Sequence, residues 1–592
     1  MRLFDRYIRS VKEIPDSQLE RFCSDIRSFL IENLSKTGGH LASNLGVVEL
    51  TVALHRAFDT SRDRVVFDVG HQCYTHKLLT GRKDGFSALR ALGEMSGFPK
   101  PAESVHDAFV AGHASTSVSV ALGMARARTL LGETYRCVAV LGDGALTGGL
   151  AYEGLNDAGQ SGEPLIVVLN DNGMSIRKNV GGVARHLARL RLKPQYFKAK
   201  RITHKLLDPL PGGRTVGRAI HRGKEMVKDA LIPGSLFSQM GFEYLGPADG
   251  HDVRAVAYLL RRAAAMKKPV LIHLVTQKGR GYTFSERDPS AYHGVKQFHI
   301  RSGEAVENSE PSFSRCFGER LAELAEADRR VVAVTAAMQS GTGLDRFARR
   351  FPKRFFDVGI AEEHAVTMAA AMAKQGLRPV VALYSTFLQR SYDQIIHDVA
   401  LPNLPVVFAV DHAGLCGEDG ETHHGVFDPL FLSSVPNMTL WAPATFEELR
   451  ALLGRALARD GPVAIRYPKG SERGGLPARS GRDATIVTYG AMAYVADEAA
   501  ELLERQGISA GVVRVASLKP LEEIEPFCNG QVFILEDNPG YLCRFVNGVP
   551  LNTGDRFIPH GRPEELLAYC GLDAASVASS VMRTLDADRL YG

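Results

Sequence analysis

Two oxygen-bearing side chains each stand a few residues after an apolar run that is typical of a buried strand. Asp143 follows the run 137–141 in the motif GDGA, and Asn172 follows the run 165–169 in the motif NDN. A strand, a helix and a second strand would bring both side chains to the carboxyl edge of a parallel sheet. Carboxylate and amide oxygens, together with phosphate oxygens, are the ligands that Mg²⁺ prefers. The spacing therefore predicts a magnesium site formed by Asp143 and Asn172.

Small residues follow Asp143 at the start of the predicted helix. Gly144 and Ala145 would allow backbone N–H groups to approach a diphosphate closely. A lone Gly-Asp-Gly is more often a tight turn capped by aspartate than a metal site. The prediction therefore depends on the spaced pair of Asp143 and Asn172 and on the strands around it.

Alternating strands and helices must position these side chains. Strands that are apolar on both faces and separated by helices indicate parallel sheets covered by helices, so the sequence predicts an α/β fold. The apolar runs that we assign to strands are 65–69, 137–141, 165–169, 270–275, 331–334, 380–384, 406–410, 486–489 and 532–536.

Two polar breaks divide a chain of 592 residues, which is too long for one hydrophobic core. The first break spans 302–312 and suits a linker, and the second spans 470–482 and is rich in Gly, Ser, Pro and Arg. We therefore predict three domains, over 1–301, 313–470 and 480–592. The basic segment 184–222 is either a flexible excursion over an active site or a surface insertion.

Composition favours an ordinary soluble globular protein, and we expect no nucleic-acid or membrane partner. Hydrophobic residues make up 45% of the chain, and the net charge is only +5. The basic stretch 185–205 lacks the interleaved aromatic residues of a nucleic-acid groove. Charges within residues 1–13 leave no apolar core of the kind that a signal peptide needs, so we expect none there, and no run reaches the roughly 20 apolar residues of a membrane span. The eight cysteines have no zinc spacing, so we expect reduced thiols in a cytoplasmic protein.

The Gly-Asp-Gly motif with its downstream Asn resembles the thiamin diphosphate enzymes, and among them the 1-deoxy-D-xylulose-5-phosphate synthase family. Seven further blocks are similar to family blocks in family order, which is far more specific than any one of them. They cover almost the whole chain and lie at residues 36–55, 68–82, 112–119, 277–282, 360–366, 384–394 and 420–428.

The resemblance implies three parallel-sheet domains of transketolase type, namely a cofactor diphosphate domain, a pyrimidine domain and a C-terminal domain. It implies thiamin diphosphate and Mg²⁺, with a backbone carbonyl of Met174 as a third metal ligand beside Asp143 and Asn172. Both half-sites would belong to one chain of a homodimer. The residues implied to contact the cofactor are His71, Gly112, His113, Ala114, Gly144, Ala145, Asn172, Tyr282, Glu362 and Phe387.

The implied activity is a decarboxylating carboligation, carried out by a transferase. Pyruvate would lose CO₂, and its remaining two-carbon unit would join an aldehyde. In the family this aldehyde is glyceraldehyde 3-phosphate, and the product serves isoprenoid and thiamine biosynthesis. Glu362 would hydrogen-bond the aminopyrimidine ring and Phe387 would stack on it. Without the resemblance, Glu362 would more often be a charge in the first turn of a helix.

Three histidines in family motifs are candidates for proton transfer, because imidazole titrates near neutrality. These are His40, His71 and His293. Asp419 and His423 match the acceptor-contacting pair of the family. The residues implied to contact the substrates are Tyr384, Arg390, His412, Asp419, His423 and Lys469.

The acceptor pocket departs from the family pattern at three positions where arginine is expected. These positions hold Pro101, His412 and Lys469. Arginine suits phosphate because its planar guanidinium donates two parallel hydrogen bonds, whereas lysine offers a point charge and proline offers no side-chain donor. We therefore hypothesise that the preferred acceptor is smaller, differently charged or unphosphorylated, unless Lys100, Arg466 or Lys469 compensates.

Two further departures separate the chain from the family pattern. Gly173 stands where the family usually has Glu, beside the predicted metal loop. The last domain is shortened after residue 536, and we expect it to lack the Gly-Gly-x-Gly helix and the following strand. Two alternatives remain at this point: a transketolase-like two-carbon transfer, and a non-catalytic relative that binds thiamin diphosphate as a sensor or scaffold.

Overall fold

The computed structural model describes residues 2–7, 10–177, 179–191, 236–306, 311–524 and 527–591. The chain divides into two compact units. The first contains Met1–Ser87 and Gly97–Val306, and the second contains Ala88–Ser96 and Glu307–Gly592. Of the basic segment 184–222, only the part up to the end of helix Gly181–Arg191 lies within the described residues.

The first unit is built on one sheet of five parallel strands, in the order β1-β2-β3-β5-β4. Central strands β2 and β3 are buried along almost their whole length, which explains their continuous apolar runs. The strands are β1 Arg64–Phe67, β2 Cys137–Gly142, β3 Ile166–Asp171, β4 Glu243–Asp249 and β5 Val270–Val275. The helices are Leu3–Tyr7, Leu19–Thr37, Leu41–Leu45, Val48–Ala57, Tyr74–Leu79, Ser117–Leu130, Gly149–Ser161, Gly181–Arg191, Leu236–Gln239, Val253–Ala264 and Thr283–Arg287.

The second unit contains a seven-stranded sheet in the order β14-β10-β11-β9-β8-β6-β7. All its pairs are parallel except that of β14 with β10. The strands are β6 Val331–Thr335, β7 Phe355–Asp357, β8 Arg378–Tyr384, β9 Val407–Ala413, β10 Thr439–Trp441, β11 Val463–Pro468 and β14 Ser517–Lys519. The helices are Phe313–Ala327, Asp345–Arg350, Glu362–Lys374, Ser385–Leu388, Tyr392–Gln394, Asp428–Ser433 and Phe446–Ala458, with a π-helix at Ile395–Ala400.

A third sheet completes the second unit, with four parallel strands in the order β13-β12-β15-β16. One hydrophobic core joins it to the seven-stranded sheet, because Val487 and Ile534 pack in the same cluster as Val410 and Ala464. The strands are β12 Ala484–Thr488, β13 Ala510–Arg514, β15 Gln531–Leu535 and β16 Val549–Leu551, and the helices are Met492–Arg505, Pro563–Cys570 and Ala574–Tyr591.

The three mostly parallel sheets confirm the predicted fold class, with two corrections. Strand β14 runs antiparallel to β10, so the second sheet is mixed. The expectation that the shortened stretch lacks a strand was wrong, because Val549–Leu551 pairs in parallel with β15. Within the described residues, no helix is long and apolar enough to cross a membrane.

Candidate functional site

The predicted metal-binding side chains lie at the paired ends of β2 and β3. Gly142 pairs with Asn170 in the parallel ladder, so the residues that follow leave the sheet at the same edge. Asp143 is buried, and its Oδ2 accepts a hydrogen bond of 2.6 Å from the backbone N–H of Gly173. The amide oxygen of Asn172 accepts one of 3.0 Å from the N–H of Met174. The loop after β3 thus folds back over Asp143.

Electrostatics at this edge fit a divalent cation. Burial, and then the charge of Asp171, raise the pKa of Asp143 well above its usual range. Asp171 has its own partners, His273 at 2.9 Å and Arg191 at 2.5 Å. A charged Asp143 is therefore unfavourable in this buried position beside a second carboxylate, and a bound cation would offset that free-energy cost. The described residues contain no cluster of three His, Cys, Asp or Glu arranged for a metal. The predicted ligand set of Asp143, Asn172 and the carbonyl of Met174 includes only one such residue, so it would not form a cluster of this kind.

Two glycines near Asp143 allow close backbone approach. A Cβ at Gly144 would lie 2.8 Å from the Cβ of Ser175, so a side chain there would collide with the loop after β3. Gly173 has φ of +76°, which L side chains rarely adopt, and the guanidinium of Arg191 would meet its Cβ at 2.9 Å. Arg191 therefore fills the space that the family's usual Glu would occupy at this position.

The three predicted histidines are brought together in the first unit. Ring centroids are 5.3 Å apart for His40 and His71, 5.1 Å for His71 and His293, and 5.6 Å for His40 and His293. The carboxamide of Asn44 donates to the carbonyls of His40 and His71, at 2.6 and 2.8 Å. Asn44, which the sequence analysis missed, thus ties together the backbone segments that carry two of the three histidines.

Lys278 is a second residue that the sequence analysis missed. Its Nζ lies 3.2 Å from Nδ1 of His293 and donates to the carbonyl of Ser175 in the loop after β3. Burial lowers the pKa of Lys278 to about 8, although Asp143 opposes this shift. Lys278 therefore links the histidine cluster to the loop after β3, where the metal ligands are predicted. It lies in the recognised block 277–282, but nothing in that block distinguishes it from a surface lysine.

A buried carboxylate fixes the backbone that directly follows the turn Gly112-His113-Ala114. Asp68 accepts hydrogen bonds from the N–H groups of Ser115 and Ser117, at 2.7 and 3.0 Å. The hydroxyl of Ser115 donates to the carbonyl of Ala145 at 2.7 Å, which ties this turn to the GDGA motif.

Tyr282 lies in an aromatic cluster with Tyr292 and Phe298, and its hydroxyl donates to the carbonyl of Ile300 at 2.9 Å. These contacts place Tyr282 beside the residue that precedes His293. A direct contact of Tyr282 with a cofactor stays a prediction.

In the second unit, Glu362 begins the helix Glu362–Lys374 and is only 3% exposed. No hydrogen-bond donor among the described residues reaches its Oε2, and Nη1 of Arg390 lies 3.9 Å away. Burial raises the pKa of Glu362 to about 7 against the smaller opposing effect of Arg390. A solvated capping charge would show none of these properties, whereas a carboxyl that meets a ring nitrogen of a cofactor would show all of them.

Four predicted residues form one aromatic row at the carboxyl ends of β8 and β9. The rings of Tyr384 and His412 stack at 3.8 Å, and those of Tyr384 and Phe387 at 5.6 Å. His423 meets Phe387 edge to face, also at 5.6 Å. Nδ1 of His412 bonds to Asp411 at 2.8 Å. The stack holds His412 against Tyr384 and orients its other nitrogen.

Two cations near this row already have partners. The Nε of Arg466 lies 2.7 Å from the carboxylate of Asp428, and both side chains are buried. Lys469 donates to the carbonyl of Cys416 at 3.2 Å and lies 3.8 Å from the carboxylate of Glu418. Lys469 is half-exposed, so it is the more accessible of the two.

The three mostly parallel sheets with their helices define a fold of transketolase type. Family models support this class: "Transketolase, pyrimidine binding domain" matches residues 309–473 and "Transketolase, C-terminal domain" matches 475–539, so the latter match stops where the shortened stretch begins. The model described as "1-deoxy-D-xylulose-5-phosphate synthase" matches residues 6–276.

Full-length relatives narrow the class to a family. The 1-deoxy-D-xylulose-5-phosphate synthase of Clostridium tetani is 46% identical over 98% of this chain and 99% of its own length. Those of Clostridium kluyveri and Pelotomaculum thermopropionicum are 46% and 47% identical, over 100% and 97% of this chain and 100% and 95% of their own lengths. The chain belongs to the 1-deoxy-D-xylulose-5-phosphate synthase family, which confirms the resemblance. It is a thiamin-diphosphate-dependent carboligase, and the matches favour neither the transketolase-like transfer nor the non-catalytic alternative.

Proposed function

We propose that the carboxyl edge of β2 and β3 binds the diphosphate of thiamin diphosphate together with Mg²⁺. Asp143, Asn172 and the carbonyl of Met174 would hold the metal. The residues that would face the phosphates are His71, Gly112, His113, Ala114, Gly144 and Ala145. The observation that carries this proposal is the burial of Asp143 beside Asp171, because a cation would offset the cost of that carboxylate. When bound, thiamin diphosphate supplies the nucleophilic carbon for the reaction.

Glu362 would exchange a proton with the aminopyrimidine ring, and Phe387 would support the flat face of that ring. A carboxyl whose pKa lies at about 7 can both give and accept a proton near neutral pH. The raised pKa depends on burial, so exclusion of water at the start of helix Glu362–Lys374 is part of the function.

The histidine cluster would hold pyruvate and move protons at the reacting atoms. His40, His71 and His293 lie within 5.6 Å of one another, centroid to centroid, so one small substrate can contact all three. Lys278 beside His293 adds a positive charge that suits the carboxylate of pyruvate.

The acceptor aldehyde would contact Asp419 and His423, with Tyr384, Arg390, His412 and Lys469 nearby. We propose glyceraldehyde 3-phosphate as acceptor, with weakened binding of its phosphate. Arg466 cannot compensate for the missing arginines because it is buried against Asp428, and Lys469 is shared with Cys416 and Glu418. The same observation favours an unphosphorylated aldehyde as the second candidate acceptor.

CO₂ release from pyruvate tests the function, with Mg²⁺ and thiamin diphosphate present. Glyceraldehyde 3-phosphate and D-glyceraldehyde, which differ only in the phosphate, should be compared as acceptors. Strong stimulation by the phosphorylated aldehyde, with deoxyxylulose phosphate as product, would establish the first candidate. Preference for D-glyceraldehyde would establish the second, and no CO₂ release with any aldehyde would contradict both.

Restoring the guanidinium groups is expected to strengthen phosphate binding. The double variant His412→Arg, Lys469→Arg should lower the KM for glyceraldehyde 3-phosphate by about tenfold, since one charge-assisted hydrogen bond contributes about 1.5 kcal/mol or more. The KM for D-glyceraldehyde should not fall, and steady-state kinetics with both aldehydes checks this difference. A matched Lys353→Arg variant controls for a general effect of the substitution, and an equal change for both aldehydes would contradict the proposal.

We further propose that the protein works in the cytoplasm as a homodimer. All eight cysteines are free thiols, and five of them have a pKa raised mainly by burial to about 11 or above, which keeps them unreactive in a reducing compartment. Sedimentation of the purified protein would test the oligomeric state.

A further inference from the structure

A group of buried charged side chains lies in the first unit, outside the site described above. The guanidinium of Arg82 donates to both carboxylate oxygens of Asp107, at 2.8 Å to Oδ1 and 2.7 Å to Oδ2, and lies 3.5 Å from Glu103. Lys77, whose side chain has no exposed surface, donates to the same Glu103 at 2.6 Å. Two cations and two carboxylates therefore balance one another. We call these four residues, Lys77, Arg82, Glu103 and Asp107, the anchor cluster.

Two histidines in series complete the contacts of Asp107. Nε2 of His76 lies 3.2 Å from Oδ1 of Asp107, and its Nδ1 lies 3.0 Å from Nε2 of His55. Burial lowers the pKa of His76, and it lowers that of His55 well below its usual range, so both rings are neutral near pH 7. Although burial opposes it, hydrogen bonds from Arg82 and His76 hold the pKa of Asp107 well below its usual range. A carboxylate only accepts hydrogen bonds, so Nε2 of His76 donates to Asp107 and its Nδ1 accepts from His55.

The anchor cluster holds the segment 97–107, because Glu103 and Asp107 belong to it. The backbone N–H of Lys100 donates to Asp107 at 2.8 Å, so this carboxylate also fixes the middle of the segment. The thiol of Cys73 donates to the carbonyl of Gly97 at 3.8 Å, which fixes its start. The described residues 97–107 contain neither a helix nor a strand, so these side-chain contacts decide where the segment lies.

The start of this segment reaches the histidine cluster of the candidate site. The ring of Phe98 lies 5.7 Å from that of His40, centroid to centroid, and Phe98 is buried. Pro99 packs against Gly70, the residue before His71, so closely that a Cβ at Gly70 would lie 2.6 Å from Cδ of Pro99. Phe98 and Pro99 therefore border His40 and the backbone that carries His71.

We propose that Arg82 and Lys77 are positioning residues for the binding of pyruvate, because the anchor cluster holds Phe98 against His40 and thereby fixes this imidazole. The proposal rests on the proposed role of the histidine cluster in pyruvate binding. Buried ion pairs add little net stability compared with well-packed apolar residues, which favours a role in fixing conformation.

Steady-state kinetics of the full chain with Mg²⁺ and thiamin diphosphate tests the proposal. Phe98→Leu and Arg82→Ala should each raise the KM for pyruvate about tenfold or more, because a displacement of about 1 Å can cost up to about 100-fold. The KM for the aldehyde, glyceraldehyde 3-phosphate or D-glyceraldehyde, should stay within about twofold of wild type, since only pyruvate loses contacts. Arg82→Lys should recover part of the loss, because lysine can pair with Asp107 but cannot bind both oxygens in parallel.

Arg128→Ala is the matched control, because Arg128 is also a buried arginine of the first unit. Its partners are the carboxylate of Glu163 at 3.1 Å and the carbonyl of Pro164 at 3.0 Å. This variant should lower the melting temperature as Arg82→Ala does, but it should leave the KM for pyruvate unchanged. Phe98→Leu keeps every buried charge, so it tests the same contact without the ion-pair loss. An equal rise of this KM in Arg128→Ala and Arg82→Ala, or no rise in Phe98→Leu, would overturn the proposal.

A double-mutant cycle with His40→Ala shows whether Phe98 acts through His40. In that background Phe98→Leu should add little further loss. If His40→Ala raises the KM for pyruvate but Phe98→Leu does not, the positioning role is wrong and the proposed function stands. If His40→Ala leaves this KM unchanged, the proposed role of His40 in pyruvate binding is wrong, and the positioning role falls with it.

Discussion

Replacing Glu362 by glutamine is expected to reduce turnover at least about 100-fold and to stabilise the cofactor-free protein at pH 8. Burial raises the pKa of Glu362 from 4.5 to about 7, so the folded state binds more protons than the unfolded state between these pH values. Stability contributed at this site is therefore lost as the pH rises from about 4.5 to about 7. Glutamine stays neutral, so the variant avoids this loss.

The stabilisation should be large enough to measure by urea unfolding. A pKa difference from 4.5 to about 7 corresponds to at most about 3 kcal/mol at pH 8, and to less than about 1 kcal/mol at pH 5. Glu363→Gln is the control, because it removes a negative charge from the same turn of the helix without the burial of Glu362. A Glu362→Gln variant that unfolds at lower urea concentration than wild type at pH 8 would contradict the stability prediction. Retained turnover would contradict the proton-transfer role.

Replacing Asp143 by asparagine is expected to weaken Mg²⁺-dependent binding of thiamin diphosphate by about 100-fold or more, since even indirect supports of metal ligands contribute 10- to 100-fold. The change removes one charge but retains an oxygen that can accept the N–H of Gly173. Loss of binding would therefore reflect the charge rather than a disordered loop.

Calorimetric titration with the cofactor at fixed Mg²⁺ measures this effect without any need for turnover. Asp157→Asn is the matched control, because Asp157 lies on the next helix, Gly149–Ser161, and pairs with Arg126 at the surface. The control should bind the cofactor as wild type does. Unchanged affinity in Asp143→Asn would remove Asp143 from the metal site.

Most of the strands could be predicted from the sequence because each corresponds to a continuous apolar run. Strands β2 and β3 have nearly the same bounds as the predicted runs 137–141 and 165–169, because both strands are buried on both faces. Strands β7, β10, β14 and β16 have three residues each, which is too short for periodicity to show. Their existence depends on neighbouring strands that offer an unpaired edge.

Site residues that lie in recognisable motifs could be predicted from the sequence. Residues whose place in the site depends on long-range contacts could not. His40, His71 and His293 were grouped from separate motifs, and the structure brings their rings together. The pair of Arg90 with Asp419 joins residues more than 300 positions apart. No local pattern marks such a partner, and only the folded chain can show it.

The shortened stretch after residue 536 leads directly into residues that pack against the loop 414–425, which contains Asp419 and His423. After β16, the chain reaches His560 within a few residues and packs beneath Gly420. A change in the length of this stretch therefore alters the support of the loop.

Three glycines of the loop 414–425 also restrict how the proposed acceptor contacts can evolve. Gly414, Gly417 and Gly420 all have positive φ, and an added Cβ at Gly414 or Gly420 would also come within 3.0 Å of a neighbour, so most replacements there would strain the loop. If Asp419 and His423 contact the aldehyde as proposed, variation in aldehyde choice is expected mainly in the surrounding residues, such as Arg90 and residues 558–561. A mutational library aimed at new acceptors should target those surroundings and leave the glycines intact.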